Sequence, residues 1–316
     1  MYGVSIKPLN YRNLHTASLH YKLIKKIKDD RFEEEKIDQY HLLINIGVRD
    51  LQVGVTDTED NRILLLEDYV FPALGSNQEL MQVLAEIFEA HAFLQAAFWK
   101  QIKISIKNNK FVQVPEALYV SEANEDYLKY NAIVDNAEEE ILAVHNRACG
   151  AVTVFAVNKE LYVWLRSLYP SNPPLFVHQS AALIEGVTTF VSGVTENYLY
   201  IYVDRFKLHI LSYNGKKLVY YNQFAIKQFS DYIRYIMLVM KSLQYDQRTS
   251  RVMLWGYIGK NSPHYHEFYK YISNVVFGNR PSFLKFGYIF DEVQDHHFYD
   301  LYNMHLLTAA KPAGIH

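Results

Sequence analysis

Three groups of side chains in this 316-residue sequence are of the types that metal or covalent chemistry uses. Histidines fall in two runs, His264-Tyr265-His266 with Glu267, and Asp295-His296-His297 with His305 beyond. Two imidazoles share an ion from one helix when they stand four apart, so a helical His264 and His266 would face different ways, and only an extended stretch would let them chelate together. His266 and His297 read as surface or hydrogen-bonded residues, and no metal site is expected. Cys149, the only cysteine, follows His145 by four residues and precedes Gly150 at an expected turn. A thiol becomes a nucleophile beside a base that a third group orients, and no such group is apparent, so Cys149 is expected to be structural. With one cysteine no intrachain disulfide forms, which suits a reducing cytoplasm. Ser192-Gly193 and Gly75-Ser76 match no nucleophile elbow or phosphate loop and read as turns.

Composition sets the frame for any site. Half the residues are hydrophobic and 15% are aromatic, enough apolar mass for a packed core. A balance of 32 basic against 34 acidic residues, formal charge −2, excludes a protein held to nucleic acid by its charge. The first residues lack the basic-then-apolar pattern of a signal peptide, and no apolar run approaches the roughly 18 residues of a membrane span. A cytoplasmic protein with no membrane span and no nucleic-acid partner is expected. At about 150 residues per domain the length fits two domains.

Periodicity supplies the elements. Residues 1–39 read as an extension, in which Lys22, Lys25, Lys26 and Lys28 are answered at once by Asp29, Asp30, Glu33, Glu34 and Glu35. Leu42 to Ile46, Leu51 to Val55 and Ile63 to Leu66 read as a three-strand meander. A helix capped at Ser76 or Asn77 follows, with Leu80, Val83, Leu84, Ile87 and Phe88 on its apolar face, then strands at Ile102 to Ile106 and Phe111 to Val114. A hairpin over Ile141 to His145 and Val152 to Val157 leads to a helix from Lys159 to Leu168, and the breakers at 171–174 mark the boundary between halves. The pattern then repeats: strands at Tyr198 to Val203, Leu208 to Leu211 and Leu218 to Tyr221 across the Asn214-Gly215 turn, a helix from about Ala225 to Leu243, and a strand from Val252 to Trp255. Leu42 to Ile46 lies on Leu199 to Val203 at an offset of 157, and Leu51 and Val53 fall on Leu208 and Ile210 at the same offset. A meander, a helix and a further strand, occurring twice at half-chain spacing, is the organisation of a duplicated ribonuclease-H-like α/β domain. The competing reading is two unrelated α/β domains that share strand periodicity. The expected domains are 40–185, with an inserted hairpin region, and 186–316.

With these residues the chain resembles the actin-like superfamily, in which two such domains face each other across a nucleotide cleft. More narrowly it resembles the uncharacterised Bacteroidetes family "domain of unknown function 3822". The resemblance rests on His41-Leu-Leu-Ile-Asn-Ile-Gly47, Leu64-Leu-Leu-Glu-Asp-Tyr69, Val112-Gln-Val-Pro-Glu-Ala-Leu118 with Tyr127-Leu-Lys-Tyr-Asn131, and Val154-Phe-Ala-Val157 leading to His178. It covers roughly residues 35 to 305 and implies an actin-like fold with no established activity.

The superfamily resemblance implies where a nucleotide would lie. An actin-like ATPase needs a carboxylate at the end of each half's first strand to organise magnesium and water, and small residues so that backbone N–H groups approach the phosphates. In the first half Asn45 stands where the acid would be, although Gly47 is present. In the second half Asp204 supplies an acid, but it aligns with Gly47 and is followed by Arg205 and Phe206; sliding the register by two pairs Asp204 with Asn45 and leaves Phe206 at the glycine position. The adenosine turn corresponds to Leu254-Trp-Gly-Tyr-Ile-Gly259, where Tyr257 beside Gly256 would crowd a nucleoside or stack on its base. The candidate nucleotide cleft, vestigial if the chain is degenerate, is therefore Asn45, Gly47, Asp204, Gly256 and Tyr257. A catalytically degenerate binding or scaffolding component with a protein partner is expected, comparable in architecture to the actin-like assembly proteins of type IV pili and type II secretion. The alternative is an ATPase or phosphotransferase that binds ATP and magnesium through Asp204. A two-metal nuclease would need clustered acids, but Asp50, Asp57 and Glu67 read as acids in water at turns and a strand end. Of 26 tyrosines, 16 lie between residues 198 and 302, so the second half is expected to present the partner-binding face, with burial under helices as the competing reading.

Overall fold

A computed structural model describes residues 21–194, 198–259 and 261–309. In chain order the first sheet begins with β1 (Lys22–Lys28), β2 (Tyr40–Ile46), β3 (Asp50–Asp57) and β4 (Arg62–Val70). Next come α1 (Asn77–Glu89), α2 (Ala92–Gln95) and β5 (Gln101–Ile106). An inserted unit follows: β6 (Phe111–Pro115), α3 (Asn124–Leu128), β7 (Glu139–Asn146) and β8 (Ala151–Asn158). Then α4 (Lys159–Leu168), β9 (Leu175–His178) and α5 (Gln179–Val191) lead to the second sheet. That sheet is formed from β10 (Tyr198–Val203), β11 (Lys207–Asn214), β12 (Lys217–Ala225), α6 (Phe229–Ser242), β13 (Arg251–Gly256), α7 (Pro263–Tyr271) and β14 (Asn274–Phe277), and the chain closes with β15 (Lys285–Phe286) and α8 (Tyr299–Asn303).

The two large sheets share a five-strand topology, to which the first adds β1 and β15, both paired with β4. The first is ordered β1-β4-β3-β2-β5-β9, the second β12-β11-β10-β13-β14. Each is an antiparallel meander to which two parallel strands are added on the free side of the first strand, as the duplication requires. The offset of 157 holds through both hairpins: Ile46 faces Leu51, and Val203 faces Leu208. Apart from the edge strand β12, whose residues are exposed or half-buried, the meander strands are buried along almost their whole length, so they read as continuous apolar runs more than as clean alternation. The Ser76 hydroxyl accepts the Glu79 N–H at 3.2 Å and starts α1 where expected.

Four elements of the fold depart from the sequence reading. β1 lies in the stretch read as an extension and pairs with β4. The breakers at 171–174 do not separate the halves, because β9 returns beside β5. Helix α5, which spans the expected division at 185, was missed: apolar nearly all round and carrying Gly186, Val187, Thr188 and Thr189, it has no polar face to give a 3.6-residue stripe. The tyrosine face is interior. Tyr200 and Tyr202 are buried beneath Leu183, Ile184 and Val187 of α5 and Tyr299 of α8, so they offer no partner surface. Leu301 and Tyr302 of α8 turn the other way, into the core of the first sheet. Helix α5 leaves the first sheet to cover the second, while the chain after β14 returns to the first sheet as β15, beside β4, before α8 packs between the two.

Candidate functional site

The strand ends where α5 and α8 begin converge on a buried polar cluster. Asn45 is the sixth residue of β2, and its side chain points from the sheet face that α8 covers. Its amide donates to Gln52 Oε1 at 2.9 Å and to Asp300 Oδ2 at 2.8 Å. Gln52 donates in turn to the Tyr257 hydroxyl. Gln179, the first residue of α5, donates to Asp204 Oδ2 at 3.0 Å and Asp300 Oδ2 at 2.8 Å, and Tyr202 donates to Asp300 Oδ1 at 2.5 Å. Asn45, Gln52, Gln179, Asp204 and Asp300 are all buried.

Charge is held at the same place by one ammonium. Lys107, the residue after β5, sits between Asp50 Oδ2 at 2.6 Å and Asp204 Oδ1 at 3.1 Å, with all three side chains at most 3% exposed. Arg205 adds a second bridge, to Asp50 at 3.2 Å and to both oxygens of Asp68. Its guanidinium lies 4.2 Å from the centre of the Tyr257 ring, while Arg49 lies 4.6 Å from that of Phe206. Burial pulls the Lys107 ammonium down, but Asp204, Asp50 and Asp300 outweigh it and hold it above its ordinary range. Burial would raise Asp204, but Lys107 overrides it and the carboxyl is held below its usual range. Asp300 is pushed up by burial and by the charge of Asp204. Near the same end Lys207 reaches the Asn108 carbonyl at 3.2 Å, and burial lowers its pKa to about 8.

All five residues expected at a nucleotide cleft meet here, in roles that this arrangement defines locally. A Cβ on Gly47 would fall 2.0 Å from Asp50 Oδ1, so the missing side chain makes room for the aspartate that holds Lys107. Gly256 adopts φ +96°, and a Cβ there would fall 2.0 Å from the Val203 carbonyl oxygen, so this glycine permits contact with β10. Tyr257 has one ring face under a guanidinium. Magnesium does not fit the acid as placed: Asp204 Oδ1 accepts from Lys107 and from the Arg205 N–H at 2.8 Å, and Oδ2 accepts from Gln179. Sequence reasoning missed Lys107, Asp68, Gln179 and Asp300. Position alone could have found Lys107, since it follows β5, the parallel strand beside the first meander strand of its half, as Tyr257 follows β13 in the other.

The other candidate chemistries resolve differently. Asp50 and Glu67 are not acids in water but are buried, Glu67 against Tyr69 at 2.5 Å and Lys26 at 2.8 Å. Asp57 does serve a turn, accepting the Glu59 N–H at 2.8 Å. Helix α7 carries both His264 and His266, and among the described residues no group of three His, Cys, Asp or Glu side chains could hold a metal. His296 meets the Ile258 carbonyl at 2.6 Å. The Cys149 thiol donates to the Asn146 carbonyl at 3.6 Å and is pushed up to about 11 by burial, while His145 faces Glu116 at 3.3 Å.

The coupling of Lys107 to Asp204 dictates a pH window. Asp204 titrates lower folded than unfolded, where a carboxyl has a pKa of about 3.9, so its contribution is full above that pH and is lost as pH falls. Lys107 titrates higher folded than unfolded, where an ammonium has a pKa of about 10.4, so its contribution is full below that pH and is lost as pH rises. Denaturant unfolding of wild type and Asp204→Asn across pH should show a stability gap that is constant from about pH 5 to 9 and narrows at both ends; a constant gap down to pH 2 would contradict the assignment.

Solved structures share this architecture. A Bacteroides thetaiotaomicron protein with actin-like ATPase fold and unknown function superposes with a TM-score of 0.70 at 22% identity, over 78% of this chain and 93% of that one. The PilM-PilN type IV pilus biogenesis complex superposes with a TM-score of 0.55 at 12% identity, over 84% of this chain and 97% of that one. No curated protein matches the sequence. Among the described residues no helix is long and apolar enough to cross a membrane. The family model matches residues 29–275, and the chain, which has the actin-like ATPase fold, belongs to the family described as Protein of unknown function (DUF3822).

Proposed function

We propose that this protein is a catalytically degenerate actin-like binding component, cytoplasmic and assembled with a protein partner, whose cleft is held by its own charges instead of by nucleotide and magnesium. The observation that carries the reading is the Lys107 ammonium seated between Asp50 and Asp204. A cation between two carboxylates does for the folded chain what a divalent ion would do for a bound triphosphate: it cancels charge from both halves and keeps them together. The Tyr257 ring and Arg205 add a packed pair beside it. That the fold takes part in protein assemblies is supported by PilM, which is found in a complex with PilN.

Calorimetric titration with ATP and magnesium tests the reading. No saturable binding in the micromolar range and no phosphate release are expected, because nucleotide would have to displace Lys107 and Gln179 from Asp204. Saturable micromolar affinity that disappears in Asp204→Ala would overturn it in favour of a phosphotransferase or ATPase.

A further inference from the structure

The inserted unit carries an apolar surface of its own. Leu118, Val120, Tyr130 and Ile133 are 69%, 54%, 83% and 91% exposed. They belong to one excursion held against α3: the Tyr127 hydroxyl donates to the Leu118 carbonyl at 2.7 Å and accepts the Val120 N–H at 3.1 Å, and the Ala132 N–H returns to the Leu128 carbonyl at 2.9 Å. Leu128 anchors the excursion in a small core with Val114, Val152 and Val154. The side chains are therefore displayed by an ordered support, and clustered exposed apolar side chains mark docking surfaces.

The charge around them is mainly acidic, with Lys129 paired to Asp126 at 2.6 Å and Lys110 to Glu139 at 2.5 Å. Residues 116–140 contain eight acids, Glu116, Glu122, Glu125, Asp126, Asp135, Glu138, Glu139 and Glu140, against the single base Lys129. An occupant must bring apolar side chains and positive charge without acids. Residues 1–20 of this chain have that composition: Lys7 and Arg12, no Asp or Glu, and Tyr2, Val4, Ile6, Leu9, Tyr11 and Leu14 among them.

Topology brings the two within reach. Lys22 of β1 pairs with Val70, Val70 with Asp50, and Ile46 with both Leu51 and Ile106. Residue 21 therefore enters the first sheet at the end from which residue 107 leaves for the inserted unit. Four strand steps separate β1 from β5, about 19 Å at about 4.8 Å each. Twenty extended residues span up to about 66 Å.

We propose that residues 1–20 dock in cis on the inserted unit, their apolar side chains against Leu118, Val120, Tyr130 and Ile133, and Lys7 and Arg12 against its acids. Covalent linkage raises the local concentration enough for a modest contact to persist. The test uses the full chain at low micromolar concentration, with zero-length carbodiimide coupling read by mass spectrometry and hydrogen exchange read over residues 118–133. Intramolecular links from Lys7 to carboxylates in 116–140 are expected, weakening as salt rises. Exchange over 118–133 should become several-fold faster in the Lys7→Glu, Arg12→Glu chain, and links from Lys7 should be lost in Ile133→Asp, an exposed site where folding is not at stake. Equal exchange in wild type and the charge-reversed chain overturns the proposal. Links that form only between molecules and grow with concentration overturn it in favour of a second copy of the chain.

Discussion

Replacing Lys107 with methionine is expected to destabilise the fold by about 3–5 kcal/mol, the usual result of leaving buried charges uncompensated. Asp50 and Asp204 lie at 2.6 Å and 3.1 Å from the ammonium, and both are buried. Without it, Arg205 still reaches Asp50, but Asp204 keeps only the neutral Gln179 amide and a backbone N–H. At about 2–4 °C per kcal/mol for chains of 150–250 residues, the melting temperature should fall by roughly 10 °C by calorimetry. Lys207→Met is the internal comparison. Burial already lowers the Lys207 pKa to about 8, and its ammonium meets a backbone carbonyl, so losing that charge should cost much less. If the two variants melt together within a degree, Lys107 does not hold the halves.

Gly256→Ala separates a structural glycine from a nucleotide-binding one. At φ +96° an alanine is strained whatever its surroundings, and its Cβ would lie 2.0 Å from the Val203 carbonyl oxygen and 2.8 Å from the Val203 nitrogen. Both obstacles are backbone, fixed by the β10–β13 pairing, so neither strand can yield without breaking the ladder that also seats Tyr202 opposite Trp255. A loss above about 3 kcal/mol is expected, with aggregation on expression as the visible outcome. A glycine kept for nucleotide approach would behave otherwise: the variant would fold normally, with a melting temperature near wild type, and lose only ligand affinity.

The repeat was legible because it is written in local patterns. Leu42 to Ile46 and Leu199 to Val203 are short apolar runs closed by turn residues, and the offset of 157 between them is the offset at which both hairpins pair. Helices α1 and α4 were legible from caps and from a stripe facing one way. Helix α5 was not, since both of its faces meet protein and the cue of a polar side is missing. The cluster was half legible. Asn45, Gly47, Asp204, Gly256 and Tyr257 stand at strand ends that an alignment finds, whereas Lys107, Gln179 and Asp300 reach them from separate strands and helices. Asp300 is 98 residues from its Tyr202 partner and 255 from Asn45, and spacing in one chain carries no information about such pairs.

By itself the sequence determined the duplicated α/β plan and set Asn45, Gly47, Asp204, Gly256 and Tyr257 at its strand ends, because strand periodicity and turn chemistry act over a few residues. Only the tertiary structure decided what occupies that place. Asp50 and Lys207 hold equivalent positions in the two halves with opposite charge, one at the start of β3 and the other at the start of β11. Folding brings the ends of both sheets together and excludes water, and there a lysine that reads as an ordinary strand-end residue becomes the cation on which carboxylates from both halves converge.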